Sequence, residues 1–300
     1  MAASGNAARS SRGDVAFYAI VDTAMMAVLL VVLYPLIFVL SSSFSSPSAV
    51  MTGRVVLWPV DFSLEGYAAV FRNRDVLTGY VNSVLYMSVG TLLNVAATMI
   101  AAYPLSRKDT PLRKTFTFLF AFTMFFSGGL IPNYILMRGL GLIDTFWVMV
   151  LPGAIGVWNL IVARTFIQNS IPAELFEAAS IDGCSDARYF RAVILPLSKA
   201  VIAVIALYYA VGHWNAFFDA LIYLNKRALY PLQLFLREVL VANTINPALE
   251  IDPELLERKQ GMADLLKYSL IVVSTVPMLA VYPFAQKYFV KGAMVGSLKG

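Results

Sequence analysis

Glu177, Ala178 and Ala179 stand together, with Asp182 and Gly183 just after them and Leu195 and Pro196 further along. None of these types makes or breaks bonds. They offer small side chains, one carboxylate among them and a glycine able to turn the chain. Leu175, Ala178 and Ala179 fall at i, i+3 and i+4, which builds one small apolar helix face. Pro172 suits a first helical turn, and Glu174 there complements the helix dipole. Gly183 can take a positive φ and end that helix. A second helix then starts near Ser185-Asp186 and runs towards Pro196. The chemistry of such a knob is docking: alanines admit another protein's groove, and Glu177 supplies a charged contact. An amphipathic loop lying in a membrane interface has the same composition.

A second set of polar and aromatic residues lies within long apolar runs: His213, Trp214, Asn215 and Asp219; Ser127, Asn133 and Tyr134; Trp147, Trp158 and Asn159. In lipid such groups are costly unless they face a cavity or another helix. Sugars suit them, because hydroxyls pair with amides and carboxylates while ring faces lie on aromatics. The plainer reading is that Asn and Ser join helices and that Trp and Tyr sit at the membrane interface. His213 invites a proton relay, since an unperturbed imidazole titrates near ~6.5. A relay needs a chain of ionisable groups, and the apolar runs hold few.

Several chemistries are excluded. With Cys184 and His213 the sole residues of their types, there is no internal disulfide and no His/Cys metal cluster. No paired catalytic carboxylates or nucleophile motif stand out, so no catalytic residue, cofactor site or metal site is expected, and the chain does not read as an enzyme. A G-x-x-x-x-G-K-[ST] phosphate loop is also missing, so ATP hydrolysis, if it drives this chain, belongs to a partner.

The elements that position these residues must cross a membrane. Of 300 residues, 59% are hydrophobic and 14% are charged, against about 25% charged in soluble domains. A bilayer core takes about 20 apolar residues as a helix, because backbone groups in lipid must pair internally. Six runs qualify: 16–40, 81–103, 115–137, 145–166, 200–222 and 266–289. The third contains Ser127-Gly128-Gly129 and Pro132, which predict a kink or break. The fifth is least defined at its end, where Trp214-Asn215 gives way to Asp219. The first run exceeds the roughly 7–15 residues of a signal-peptide core and is read as a retained helix. The expected fold is therefore an all-α integral membrane protein of about six transmembrane helices with a helix–turn–helix loop at 167–199, on the cytoplasmic side.

Arg107, Lys108, Arg113 and Lys114 crowd the short loop 104–114, and Arg188, Arg191 and Lys199 lie in 167–199. By the positive-inside rule these loops and both termini face the cytoplasm. Topology thus explains the basic pI near 9.2, and no nucleic-acid partner is expected. Segments 41–80 and 223–265 then lie outside, the second carrying Glu250, Asp252, Glu254 and Glu257. The organisation read from this is an N-terminal tail 1–15, a transmembrane domain 16–289 and a C-terminal tail 290–300.

Glu177-Ala178-Ala179, Gly183 four residues on and Ile194-Leu195-Pro196 resemble the EAA signature of binding-protein-dependent ABC importer permeases. In that family the segment is the coupling helix, which docks into the ATP-hydrolysing subunit. The resemblance assigns this contact to Glu177, Ala178, Ala179, Asp182 and Gly183, with Leu195 and Pro196 downstream. Cys184 and Ala200 stand where the family often has alanine and proline. Phe126 to Asn133, Gly139 to Leu142 and Trp214 to Phe217 are similar to the carbohydrate-uptake branch, and Lys291 to Gly300 resembles the tail of the maltose-type second permease. Within that branch the chain looks like permeases for complex or acidic oligosaccharides, including the alginate importer.

What the resemblance implies is one permease half. Its partners are a second homologous permease, two ATP-binding subunits carrying ATP and Mg, an external solute-binding protein, the sugar and membrane lipid. It also implies that the outer loop, with Tyr230-Pro231-Leu232 and the acidic run, touches the binding protein. From the residues alone, two rivals stay open: a secondary transporter or channel working without ATP, and a membrane-embedded enzyme.

Overall fold

The computed structural model describes residues 12–242, 261–280 and 283. Among the described residues every regular element is helical. They are α1 (Arg12–Ser43), α2 (Pro47–Met51), α3 (Glu65–Arg72), α4 (Arg74–Ser106), α5 (Arg113–Phe125), α6 (Leu130–Gly139), α7 (Val157–Ser170), α8 (Ala173–Ile181), α9 (Asp186–Tyr189), α10 (Leu195–Leu197), α11 (Lys199–Trp214), α12 (Phe218–Tyr223) and α13 (Leu232–Ala242). A last helix, α14, covers Gly261–Ala280. The chain divides into two compact units, Met1–Val70 with Asn243–Val272, and Phe71–Ala242 with Val273–Gly300.

In the first unit, α1 exposes its apolar side chains along most of its length, as a helix facing lipid does. The serine tract that follows is a hydrogen-bonding knot. Ser41 Oγ donates to Leu57 O at 2.6 Å, Ser45 Oγ donates to Ser41 O at 2.7 Å, and Ser45 Oγ accepts from Val60 N at 3.0 Å. Gly66 lets α3 approach α14: a Cβ there would stand 2.8 Å from Leu265 Cγ and 2.2 Å from Ser269 Oγ.

The second unit is built on α4, with α7 and α11 packed along it. Met99, Ala102 and Leu105 of α4 meet Leu160, Ala163 and Ile167 of α7 and Val201, Ile205 and Tyr209 of α11. A second cluster joins Tyr86 to Val148, Met149, Val150, Ala220, Tyr223 and Leu234.

Among the described residues, three helices are long and apolar enough alone to cross a membrane, Ala16–Ser43, Arg74–Ser106 and Gly261–Ala280. Two bent pairs qualify jointly: α5 with α6, bent by 117°, and Asp186–Leu197 with α11, bent by 80°. The first bend falls at the predicted Ser127-Gly128-Gly129 break. Residues 145–166, expected as one span, are not one helix. A 3-10 turn, Phe146–Met149, leads to irregular backbone through Pro152, Gly153 and Gly156, and α7 starts at Val157. Proline and glycine there interrupt the helical ladder. The fifth expected span stops at Trp214 and resumes as α12. Residues 281–289 of the sixth (Pro283 apart), the acidic stretch 243–260, the tail 290–300 and residues 1–11 lie outside the described residues.

Candidate functional site

Two places gather the residues singled out above. The first is the elbow formed by α8 and α9. Ile171 and Pro172 are extended, with ψ of 113° and 139°, so α8 starts cleanly at Ala173. It ends in a Schellman motif: Gly183 takes φ +69°, its N–H donates to Ser180 O at 3.1 Å, and Cys184 N–H donates to Ala179 O at 2.9 Å. Ser185 then caps α9, its hydroxyl accepting from Arg188 N. A π-helical turn, Phe190–Ile194, carries the chain on to Pro196.

The elbow has two sides. Phe176, Ala179, Cys184 and Leu195 pack against the core, beside buried Tyr189 and Ile194. Leu175, Glu177, Ala178, Asp182, Gly183 and Pro196 are exposed, and Ile181 is 87% exposed. The face drawn from helical spacing is thus divided, Ala179 anchoring the helix while Leu175 and Ala178 stay open. An open leucine, alanine and isoleucine around an exposed glutamate form a surface suited to a groove on another protein.

Arg107, the C-cap of α4, touches both arms of this elbow. Its guanidinium lies over the Phe176 ring, 3.6 Å from the centroid, and pairs with Asp186 and Asp109. It also donates to Tyr103 Oη at 3.0 Å. The Asp109 contact raises the Arg107 pKa and, reciprocally, lowers that of Asp109. Sequence reading used Arg107 for topology alone. Its reach to a segment seventy residues on has no local signal.

The second place is a cavity of about 200 Å³ in the second unit, lined by Asn94, Met149, Gly153, Tyr208, Tyr209, His213 and Asp219 among others. Here the irregular segment before α7 finds its hydrogen bonds. Asn94 Nδ2 donates to Gly153 O at 3.2 Å and lies 3.1 Å from His213 Nε2. Tyr209 Oη accepts from Gly156 N at 2.8 Å and bonds Thr98 Oγ1 at 2.7 Å. Broken backbone at membrane depth is tolerated where side chains satisfy it or it lines a cavity, and both hold here. Gly153 O can only accept, so the amide of Asn94 must be the donor, and His213 Nε2 is then an acceptor. That places the ring proton on Nδ1, in a neutral imidazole. The ring also packs on Gly90, where a Cβ would stand 2.4 Å from Nε2.

Of the residues expected along a path, His213 and Asp219 line this cavity. Trp214 does not: it is 1% exposed, its Nε1 donates to Ser274 O at 2.9 Å, and its ring meets Tyr80 edge-on. Asn215 bonds back to Val211 O. Tyr134 stacks on Tyr223, and Ser127 and Asn133 are exposed about the α5–α6 break. Sequence reading missed Asn94, Thr98 and Tyr209. Asn94, an amide in the middle of the 81–103 run, was the available signal.

No protein-family model matches the chain. It is 39% identical to the polygalacturonan/rhamnogalacturonan transport system permease protein YtcP of Bacillus subtilis, over 90% of this chain and 94% of that protein. It is also 39% identical to protein LplC of the same organism, over 90% of each. Among solved structures, it superposes with TM-score 0.82 on a chain of a bacterial ABC transporter involved in the import of the acidic polysaccharide alginate. That likeness has 33% identity and covers 94% of this chain and 99% of the other.

Proposed function

This chain belongs to the permease family of ABC sugar-import systems, and on that premise we propose that α8–α9 is the surface on which an ATP-hydrolysing partner docks. The chain is a membrane transport subunit for ATP-driven uptake of an oligosaccharide. The observation that carries the docking reading is the two-sided elbow. Phe176 and Ala179 fix it to the permease core, while Glu177, Ala178, Asp182 and Gly183 stay open beside Leu175 and Ile181.

The assembly this implies has a second permease, two ATP-binding subunits holding ATP and Mg, and an external solute-binding protein. The elbow, the 104–114 loop and both termini face the cytoplasm, supported by Arg107, Lys108, Arg113 and Lys114 in that short loop. The turn Arg227–Leu229 and α13 then face outward, towards the binding protein. The sugar is a uronate-containing oligosaccharide, by likeness to relatives named for polygalacturonan and alginate. Asn94, Tyr208, His213 and Asp219 offer it amide, phenol, imidazole and carboxylate contacts where α4 meets α11.

The test is affinity purification of the tagged chain from native membranes, followed by mass spectrometry and an ATPase assay. A P-loop ATPase and a second permease are expected to copurify, and Glu177→Lys is expected to remove the ATPase. Retention of the ATPase by Glu177→Lys would sink the docking assignment.

A further inference from the structure

α4 is 33 residues long, about 50 Å at 1.5 Å per residue, and it is tied to other elements at both ends. Near its start Asn82 donates to Ala228 O and Tyr230 O at 2.8 and 3.0 Å, and Ser83 Oγ accepts from Leu232 N at 2.9 Å. At its finish α7 holds one side. Arg164 donates to Leu105 O at 2.9 Å and Gln168 to Ser106 O at 3.0 Å. These bonds satisfy carbonyls that a helix end leaves free.

Arg107 holds the other side, where the elbow lies. Its side chain is 17% exposed, while Asp186 and Asp109 are 70% and 63% exposed. The cation is therefore the sheltered member of the group, and its partners fold over it. A guanidinium stacked on a ring and forked to carboxylates is fixed in both plane and direction, so it resists sliding as well as separation. The covalent path into the elbow, through extended Ile171-Pro172 and the left-handed turn at Gly183, does not by itself run to the end of α4.

We propose that Arg107 is a positioning residue for energy coupling. It locks α8 and α9 to the end of α4, so that a push on α8 moves α4 instead of being taken up within the elbow. This rests on reading α8–α9 as the docking elbow. The carboxylate partners are largely exposed, and pairs of that kind contribute little to stability. A change that keeps the charge and the aliphatic stem of Arg107 therefore falls on coupling more than on folding.

The experiment reconstitutes the complete importer with its binding protein in proteoliposomes and measures ATP hydrolysed and sugar imported together. Arg107→Lys keeps the charge but loses the plane and the fork. It is expected to raise ATP consumed per sugar imported severalfold, while the ATPase subunits still copurify. Asp186→Asn and Phe176→Leu are expected to shift the ratio in the same direction by less. An unchanged ratio, whether uptake and hydrolysis fall in parallel or not at all, overturns the proposal. If Arg107→Lys fails to assemble, Asp186→Asn and Phe176→Leu decide it by the same ratio. Glu177→Lys separates the two readings. Loss of the ATPase there, with an unchanged ratio in Arg107→Lys, removes the role of Arg107 and leaves the docking surface standing.

Discussion

Arg107 stacks on Phe176 with its guanidinium 3.6 Å from the ring centroid, and the same group pairs with Asp186 across the Gly183 turn. One cation at the end of α4 thereby touches both arms of the elbow at once.

The turn between those arms depends on Gly183. Its φ is +69°, and its N–H donates to Ser180 O at 3.1 Å. Gly183→Ala is expected to cost about 1–2 kcal/mol locally and to reduce sugar uptake partially. Gly183→Pro loses the donor as well and cannot take a positive φ, so uptake is expected to vanish while the chain stays in the membrane. Immunodetection in membrane fractions beside labelled-sugar uptake checks both. Wild-type uptake by Gly183→Pro contradicts the role of the turn.

The elbow was legible because its signals are local. Pro172 and Gly183 act through their own backbone and Ser185 through a hydroxyl that reaches only three residues on, and spacing alone orders them. The cavity was not, because its parts are distant in sequence. Asn94, Gly153 and His213 meet only once α4 and α11 pack, and the one local signal, the amide of Asn94 in an apolar run, fits a residue joining two helices equally well. The interruption at Pro152-Gly153 was hidden for another reason: hydropathy averaged over 145–166 stays high whether or not the helix continues. Trp214 shows the limit of composition. A tryptophan beside His213 reads as a sugar platform, yet which face it takes is decided by packing, and the structure turns it inward to Ser274 O.

At Gly90 the helix surface is cut away for the His213 ring. A Cβ would stand 2.4 to 2.7 Å from its atoms, too close for contact without displacing the imidazole. Gly90→Ala is expected to destabilise the permease by about 1–3 kcal/mol, the cost of overpacking a filled core. It should also lower uptake by pushing His213 away from Asn94. His213→Ala in the Gly90→Ala background should restore part of the stability, because it removes the clash. Thermal unfolding in detergent of the two single variants and the double variant reads this directly, and additive losses would contradict the contact.

Tyr209 carries the first turn of α7. Its hydroxyl accepts from Gly156 N at 2.8 Å and bonds Thr98 at 2.7 Å, all at buried or half-buried positions. Tyr209→Phe keeps the ring and leaves that N–H without its partner, a loss of about 1–3 kcal/mol. Thr98→Val removes one hydroxyl but leaves the Gly156 bond intact, and is expected to cost less. Thermal unfolding that ranks Thr98→Val as the more damaging would contradict the assignment.

Asp144 closes the turn that joins α12 to the Arg227–Leu229 segment. It takes a left-handed φ of 58°, and its carboxylate accepts from Asn225 N–H, from Lys226 N–H at 3.0 Å and from Asn225 Nδ2 at 3.1 Å. These bonds, the one from Asn225 N–H foremost, hold its pKa below the ordinary carboxylate value. A depressed folded pKa means that the stabilisation is fully present above the unfolded value near ~3.9 and is lost as pH falls through the folded value. Exchange of the Asn225 and Lys226 amides is therefore expected to stay protected, relative to the surrounding loop, down to about pH 4 and to lose protection below it. Asp144→Asn should lose that protection already at neutral pH, since the amide accepts through a single neutral oxygen. Hydrogen exchange read by mass spectrometry on peptides covering Tyr223 to Tyr230 decides it, and equal protection in Asp144→Asn and the parent at pH 7 would show that the turn is held by something other than this carboxylate.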